Sequence, residues 1–170
     1  MKTNMNAQEF NLVYERYRDL LYRIGYTYLK NEHDVADLLQ EVFVKRLYHA
    51  PSFQSEEHEK RWMIRVTVNL AKNQRKSFWA KNVTKMAEML ESPECRNWQM
   101  SERQKDLLAA VVSLPEKQRI ALYLHYFEGY TCKEIATILH CTESAIKMRL
   151  KKGRMMLRDD LSQEDYHEYK

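Results

Sequence analysis

The chain has 170 residues and a formal net charge of +4 at neutral pH, with only three glycines, three prolines and three cysteines. That length holds one ordinary domain or two small ones, and the scarcity of turn formers excludes a fold of tight hairpins in favour of long helices. No apolar run reaches the roughly 20 residues of a membrane span, "MKTNMNAQEF" lacks a signal-peptide core, and an odd cysteine count without a CxxC pair reads as reduced thiols; the sequence therefore implies a cytoplasmic protein with no membrane insertion.

Charge is unevenly placed. Residues 69–85 hold five Lys or Arg and no acid, whereas residues 31–44 hold four acids and no Lys or Arg. Two surfaces of opposite sign point to two different partners.

Phe10, Tyr14, Tyr17, Leu21, Ile24 and Tyr28 recur at steps of four and three, which predicts a first amphipathic helix. Val35, Leu38, Leu39, Val42, Phe43 and Leu47 form a second stripe, closed by Pro51. After the polar loop "PSFQSEEHEK", a third helix is expected from about Arg61 through "RWMIRVTVNLAKNQRKSFW". Three such helices can bury a small core together. Between residues 86 and 106 the pattern weakens and Ser92-Pro93 interrupts any helix. The expected organisation is all-α, with two small helical domains, residues 1–82 and 105–170, joined by a flexible linker over 83–104.

Beyond the linker come "LLAAVVS", then Leu114-Pro115 with the proline at a first helical turn, then "EKQRIALYLHYF" ended by Gly129. Thr131 followed by Glu134 is a capping box, helix "CKEIATIL" breaks at His140-Cys141, and Thr142 can cap the next helix. Two helices joined by so short a turn fit a helix-turn-helix plan. In the second of them Ile146, Leu150, Gly153 and Leu157 make one inward stripe, leaving Ser144, Lys147, Met148, Lys151 and Met155 outward, with Arg149, Lys152, Arg154 and Arg158 on the flanks. A basic outer face suits the major groove of DNA, although a solvated basic face on a plain bundle gives the same pattern. Cys132, His140 and Cys141 are close in sequence but do not make the four ligands of a structural zinc site, so no metal or other cofactor is expected.

The segment "LPEKQRIALYLHYFEGYTCKEIATILHCTESAIKMRLKKGRMMLRDDL" resembles region 4 of bacterial sigma factors, particularly the extracytoplasmic-function (ECF) group. Independently, "DVADLLQEVFVKRL" resembles region 2.2 and "RWMIRVTVNLAKN" resembles regions 2.3 and 2.4. The resemblance implies a non-catalytic subunit of RNA polymerase that recognises promoters and helps open them. His140 departs from the glycine often found in the family's turn, and would be strained if left-handed.

On this resemblance the second helix docks on the clamp helices of the largest polymerase subunit, with Asp37, Leu38, Gln40, Glu41 and Lys45 as candidates, and region 4 meets the flap of the second-largest subunit. In the third helix, Met63, Val66, Leu70 and Gln74 fall on one side and Trp62, Arg65, Asn69, Lys72, Asn73 and Lys76 on the other. The second set joins an aromatic, amides and cations, which suits a strand whose bases have left the duplex. The resemblance aligns Asn69 and Asn73 with contacts to the non-template strand of the minus-ten element, and "SFQSEEHEK" with a loop that shapes a flipped-base pocket. Trp62 reads either as a stacking platform or as a buried core residue. Candidates for the minus-thirty-five duplex are Thr131, Ser144, Lys147, Met148, Arg149, Lys151, Lys152 and Arg154. An anti-sigma partner is left open.

Two other classes compete. A stand-alone helix-turn-helix regulator shares the C-terminal module but gives no reason for the amide-and-cation helix at 62–76. A small all-α enzyme has its best clue in Glu164-x-x-His167, a single copy where a di-iron bundle needs two.

Overall fold

The structure is a computed structural model that describes residues 5–77 and 101–160, without the side chains of 75–77 and 160. The 83–100 portion of the expected linker, Cys95, the Lys76 side chain and Glu164-x-x-His167 lie outside the described residues. The chain divides into two units, Met1–Trp98 and Gln99–Lys170.

Helix α1 (Ala7–Leu29) starts at a reciprocal cap: Glu9 N–H donates to Asn6 Oδ1 at 2.9 Å, and Asn6 N–H donates to Glu9 Oε2 at 3.0 Å. Lys30 ends it in a left-handed conformation at φ 53°, and Asn31 at once caps α2 (Glu32–His49) by accepting from Asp34 N–H at 3.0 Å. The two helices meet where Gly25 leaves a notch: a Cβ there would stand 2.8 Å from Leu38 Cδ2.

Helix α3 (Glu56–Ser77) begins five residues before the position expected from sequence. Ser55 caps it, taking the His58 N–H on its hydroxyl at 3.1 Å, and Glu56, Glu57 and Glu59 place negative charge on the first turn. Half of the presumed polar loop is therefore helix. Met63, Ile64, Thr67, Val68, Leu70 and Ala71 form its buried face, packed against α1 and α2. Val66 is half-buried at the edge of that face, one wheel position outside the stripe the sequence assigned to it.

The second unit opens with α4 (Glu102–Ser113), held by a Ser101–Gln104 capping box, so Glu102–Gln104 are helical rather than linker. Pro115 is the N-cap of α5 (Glu116–Leu122), one position ahead of the first turn, and α5 widens into a π-helical turn at Tyr123–Phe127. Gly129, at φ +72°, closes that turn, and Tyr130 N–H donates back to Leu124 O at 3.1 Å. Helices α6 (Cys132–Leu139) and α7 (Glu143–Asp160) follow, and α7 packs on both α5 and α6. The described residues form helices and connecting turns, with no strand among them.

Candidate nucleic-acid interface

The turn between α6 and α7 sets the presentation of α7. Thr131 Oγ1 accepts from Glu134 N–H at 3.3 Å while Glu134 Oε2 accepts from Thr131 N–H at 2.9 Å, and Thr142 Oγ1 accepts from Ala145 N–H at 3.1 Å. Between these caps His140 stands left-handed at φ 52° and ψ 52°, a strained position for a residue with a Cβ. Ile146, Leu150, Gly153 and Leu157 are buried, as the sequence stripe requires.

On the opposite side Ser144, Lys147, Met148, Lys151, Lys152 and Met155 are exposed, and Arg149 and Arg154 are half-buried on the flanks. Thr131 is exposed at the entry to α6. Lys147 Nζ is bound to Glu143 Oε1 at 2.9 Å, and this hydrogen bond, followed by the charge of the same carboxylate, raises the lysine pKa above its ordinary value. Arg154 Nη1 donates to the Tyr126 hydroxyl at 3.4 Å, tying the flank of α7 to the π-helical turn. A face of cations, a hydroxyl and flexible thioethers can donate to phosphates and guanine edges and offer apolar contact to thymine methyls.

In the first unit, α3 carries its polar residues opposite the buried stripe. Asn69 and Asn73 are exposed one turn apart, and Arg65 and Lys72 are half-buried beside them. Trp62 is half-buried rather than a fully buried core residue, its ring 5.6 Å from Phe53 and inclined at 62°. Amides exposed in pairs can read the edges of unstacked bases, since each offers donor and acceptor together.

Helix α2 presents Asp37, Gln40 and Glu41 to solvent, and Lys45 half-buried at their margin. Leu38 does not belong to this set. It is fully buried against Gly25, because at about 100° per residue it turns inward with Val35 and Val42 while its neighbour Asp37 turns outward. The sequence reading overlooked Val44 and Tyr48, which are 49% and 65% exposed and continue the Asp37–Glu41 face. Their spacing of three and four from Glu41 and Val44 was the available signal. An open groove of about 690 Å³ between α1 and α2 borders the same face, lined in part by Phe10, Tyr14, Leu39, Phe43 and Val44.

Arg46 was also overlooked, and Phe53 and Glu59 were included only as part of the segment "SFQSEEHEK", with no role of their own. Arg46 Nε and Nη2 both bind Glu59 Oε1, at 2.7 and 2.6 Å, and Glu59 Oε2 accepts from the Tyr17 hydroxyl at 3.3 Å. Burial first, and the neighbouring Glu59 charge second, push the Tyr17 phenol up to about 12, so it remains a donor. Glu59 looks like a solvent-facing loop residue in sequence, and its partner lies on another helix. No periodic signal joins them.

Cys132 and Cys141 are free thiols, and among the described residues no group of three or more His, Cys, Asp or Glu is placed to hold a metal ion. No described helix is long and apolar enough to cross a membrane.

Comparison with known proteins agrees with this division. The family model for sigma-70 region 2 matches residues 13–80, and that for sigma-70 region 4 matches residues 104–157. The ECF RNA polymerase sigma factor SigX of Bacillus subtilis is 25% identical over 164 residues, covering 89% of this chain and 82% of the relative. The ECF RNA polymerase sigma-E factor of Escherichia coli K12 is 27% identical over 162 residues, covering 88% and 84%. Among solved structures, CnrH in complex with the cytosolic domain of CnrY matches with a TM-score of 0.65 at 19% identity, over 91% of this chain and 88% of that one. The sigma factor RpoE of Bartonella quintana, in complex with the anti-sigma factor NepR, matches at 0.64 and 18%, over 90% and 96%. These two share the fold. With regions 2 and 4 both present in the family's order, and relatives of one group along nearly the whole sequence, the protein belongs to the sigma-70 family, in its extracytoplasmic-function group.

Proposed function

We propose that the chain binds core RNA polymerase and directs it to promoters, with α3 taking the non-template strand of the minus-ten element and α7 the minus-thirty-five duplex. The observation that carries this is the pairing of two polar, DNA-suited faces on separate units, each opposite a buried stripe: Asn69 and Asn73 on α3, and Lys147, Met148 and Lys151 on α7. A stand-alone regulator uses only the second face, which leaves α3 without a role.

In this reading Asp37, Gln40 and Glu41, with Val44 and Tyr48, form a mixed acidic and apolar surface for the clamp helices of the largest subunit. Charge steers the encounter and the apolar pair supplies burial. The second unit addresses the flap of the second-largest subunit. Bond formation belongs to the polymerase; this chain contributes binding and capture of unstacked bases. It acts in the cytoplasm with its polymerase, and an anti-sigma partner is an expectation of the same reading, open to co-purification.

Two DNA-reading faces on separate units gain from a polymerase that fixes their spacing. The test compares free protein with holoenzyme. Weak, strongly salt-dependent DNA binding alone and promoter-specific initiation with core polymerase support the proposal. Tight sequence-specific binding by an isolated dimer would sink it.

A further inference from the structure

Arg46 near the end of α2 and Glu59 in the first turn of α3 face each other across residues 50–55, with side chains only 11% and 9% exposed. Two guanidinium nitrogens converge on one carboxylate oxygen, and the other carboxylate oxygen is taken by Tyr17. The guanidinium has a further neighbour in Phe53, whose ring centre lies 5.0 Å from Arg46 Cζ. Phe53 in turn stands edge-on to His58 at 5.5 Å and inclined to Trp62 at 5.6 Å. An unbroken run of contacts thus leads from a buried ion pair, through the connection between α2 and α3, to the aromatic ring on the polar face of α3.

A buried ion pair is a poor source of net stability, because desolvation offsets most of the attraction; its distinctive property is a demand for one geometry. Here that geometry sets the guanidinium against the face of Phe53. Trp62 lies about two turns before Asn69 on the same face of α3, roughly 10 Å along the axis, a separation of a few stacked bases. Trp62 is partly covered, and Phe53 is one of the groups against it, so the way its exposed edge is presented is coupled to Phe53.

We propose that Arg46 and Glu59 are positioning residues for base selection at the minus-ten element, acting through Phe53 to set Trp62 and the α2–α3 connection beside Asn69 and Asn73. The inference rests on the sigma-factor reading above. It assigns the pair a role in discrimination rather than in holding the unit together.

The experiment uses holoenzyme reconstituted with the full chain and selects transcribed promoters from a library randomised at both elements. Three variants are compared with wild type: the double replacement Arg46→Met with Glu59→Met, which keeps side-chain bulk and removes both charges; Arg46→Lys, which keeps the charge but loses the flat guanidinium over the ring; and Phe53→Leu, which leaves the ion pair in place. The double variant is expected to melt like wild type, bind core polymerase equally and keep its upstream preference, yet lose about tenfold discrimination at one or two minus-ten positions. Phe53→Leu should show the same loss, not additive with the double replacement, and Arg46→Lys a smaller one. Wild-type discrimination in Phe53→Leu overturns the proposal, whatever the double variant does, and so does a stably folded double variant that discriminates normally. Failure of wild-type holoenzyme to initiate from any library member would instead overturn the sigma-factor reading itself.

Discussion

The Nζ of Lys147 rests 2.9 Å from Oε1 of Glu143, one turn earlier on α7. Both groups are exposed, so the pair is readily exchanged for a DNA contact, and Glu143 sits at the N-terminal end of the helix where base edges are usually met. Glu143→Gln should release the lysine and remove a negative charge facing phosphates. Holoenzyme binding to duplexes of any sequence should tighten, and the salt slope should steepen by about one. Lys147→Ala should weaken binding to the preferred upstream element by roughly tenfold and relax one or two positions of it. Salt-titrated binding measures both; an unchanged slope in Glu143→Gln would mean that the carboxylate does not border DNA.

Gly153 admits α7 against α5. A Cβ at this position would lie 2.5 Å from Leu122 Cδ1 and 3.2 Å from Cγ, and Leu122 is fully buried with little room to turn aside. Gly153→Ala should therefore lose about 1–3 kcal/mol to overpacking, more than the ~1 kcal/mol gained in helix propensity. Thermal unfolding of the full chain checks the sign. A raised melting temperature would show that Leu122 can yield.

On α2 the inward and outward residues should separate cleanly. Leu38→Ala opens a cavity beside Gly25 and should cost about 2–5 kcal/mol of stability. Glu41→Lys, on the exposed face, should leave melting nearly unchanged and weaken core binding. If Glu41→Lys holoenzyme assembled normally, the polymerase contact would have to lie elsewhere on the unit.

Asn69→Ala and Asn73→Ala should impair promoter opening and relax the minus-ten preference while the upstream preference stays as it is. Permanganate footprinting of the melted strand, together with library selection, separates the two effects. A shift in the upstream element from either variant would break the division of labour between α3 and α7.

Both faces of α7 could be read from the sequence, because a helix with one packed side writes its burial as a 3.6-residue period and Ile146, Leu150, Gly153 and Leu157 keep that period without exception. The cap at Thr131 and the helix break at His140-Cys141 were legible for a similar reason: each is decided by residues within a few positions, whereas the left-handed conformation of His140 was only a conditional expectation. What escaped was settled at longer range. Glu59 took its burial from Arg46 on another helix and from Tyr17 on a third, and nothing in "SEEHEK" distinguishes it from the solvent-facing glutamates beside it. The start of α3 was missed with it, since acids in a first turn resemble a polar loop unless Ser55 is recognised as a cap. Leu38 entered the polymerase contact through the resemblance, although its place in the apolar stripe already turned it inward. The π-helical turn at Tyr123–Phe127 has no pattern of its own, because one extra residue in a turn leaves the apolar spacing ambiguous.

The burial pattern of α7 has a consequence for how such a protein can change. Everything the fold asks of this helix is contained in its inner stripe, and the outward residues Ser144, Lys147, Met148 and Lys151 owe nothing to the packing of α5 and α6. Surface replacements away from caps and cores usually shift stability by no more than about 0.5 kcal/mol. The outer positions can therefore vary as a set, by duplication and drift or by deliberate exchange, while the same inner stripe continues to hold the helix in place; if they read the upstream element as proposed, a new promoter repertoire is reachable by single steps, none of which passes through an unfolded protein.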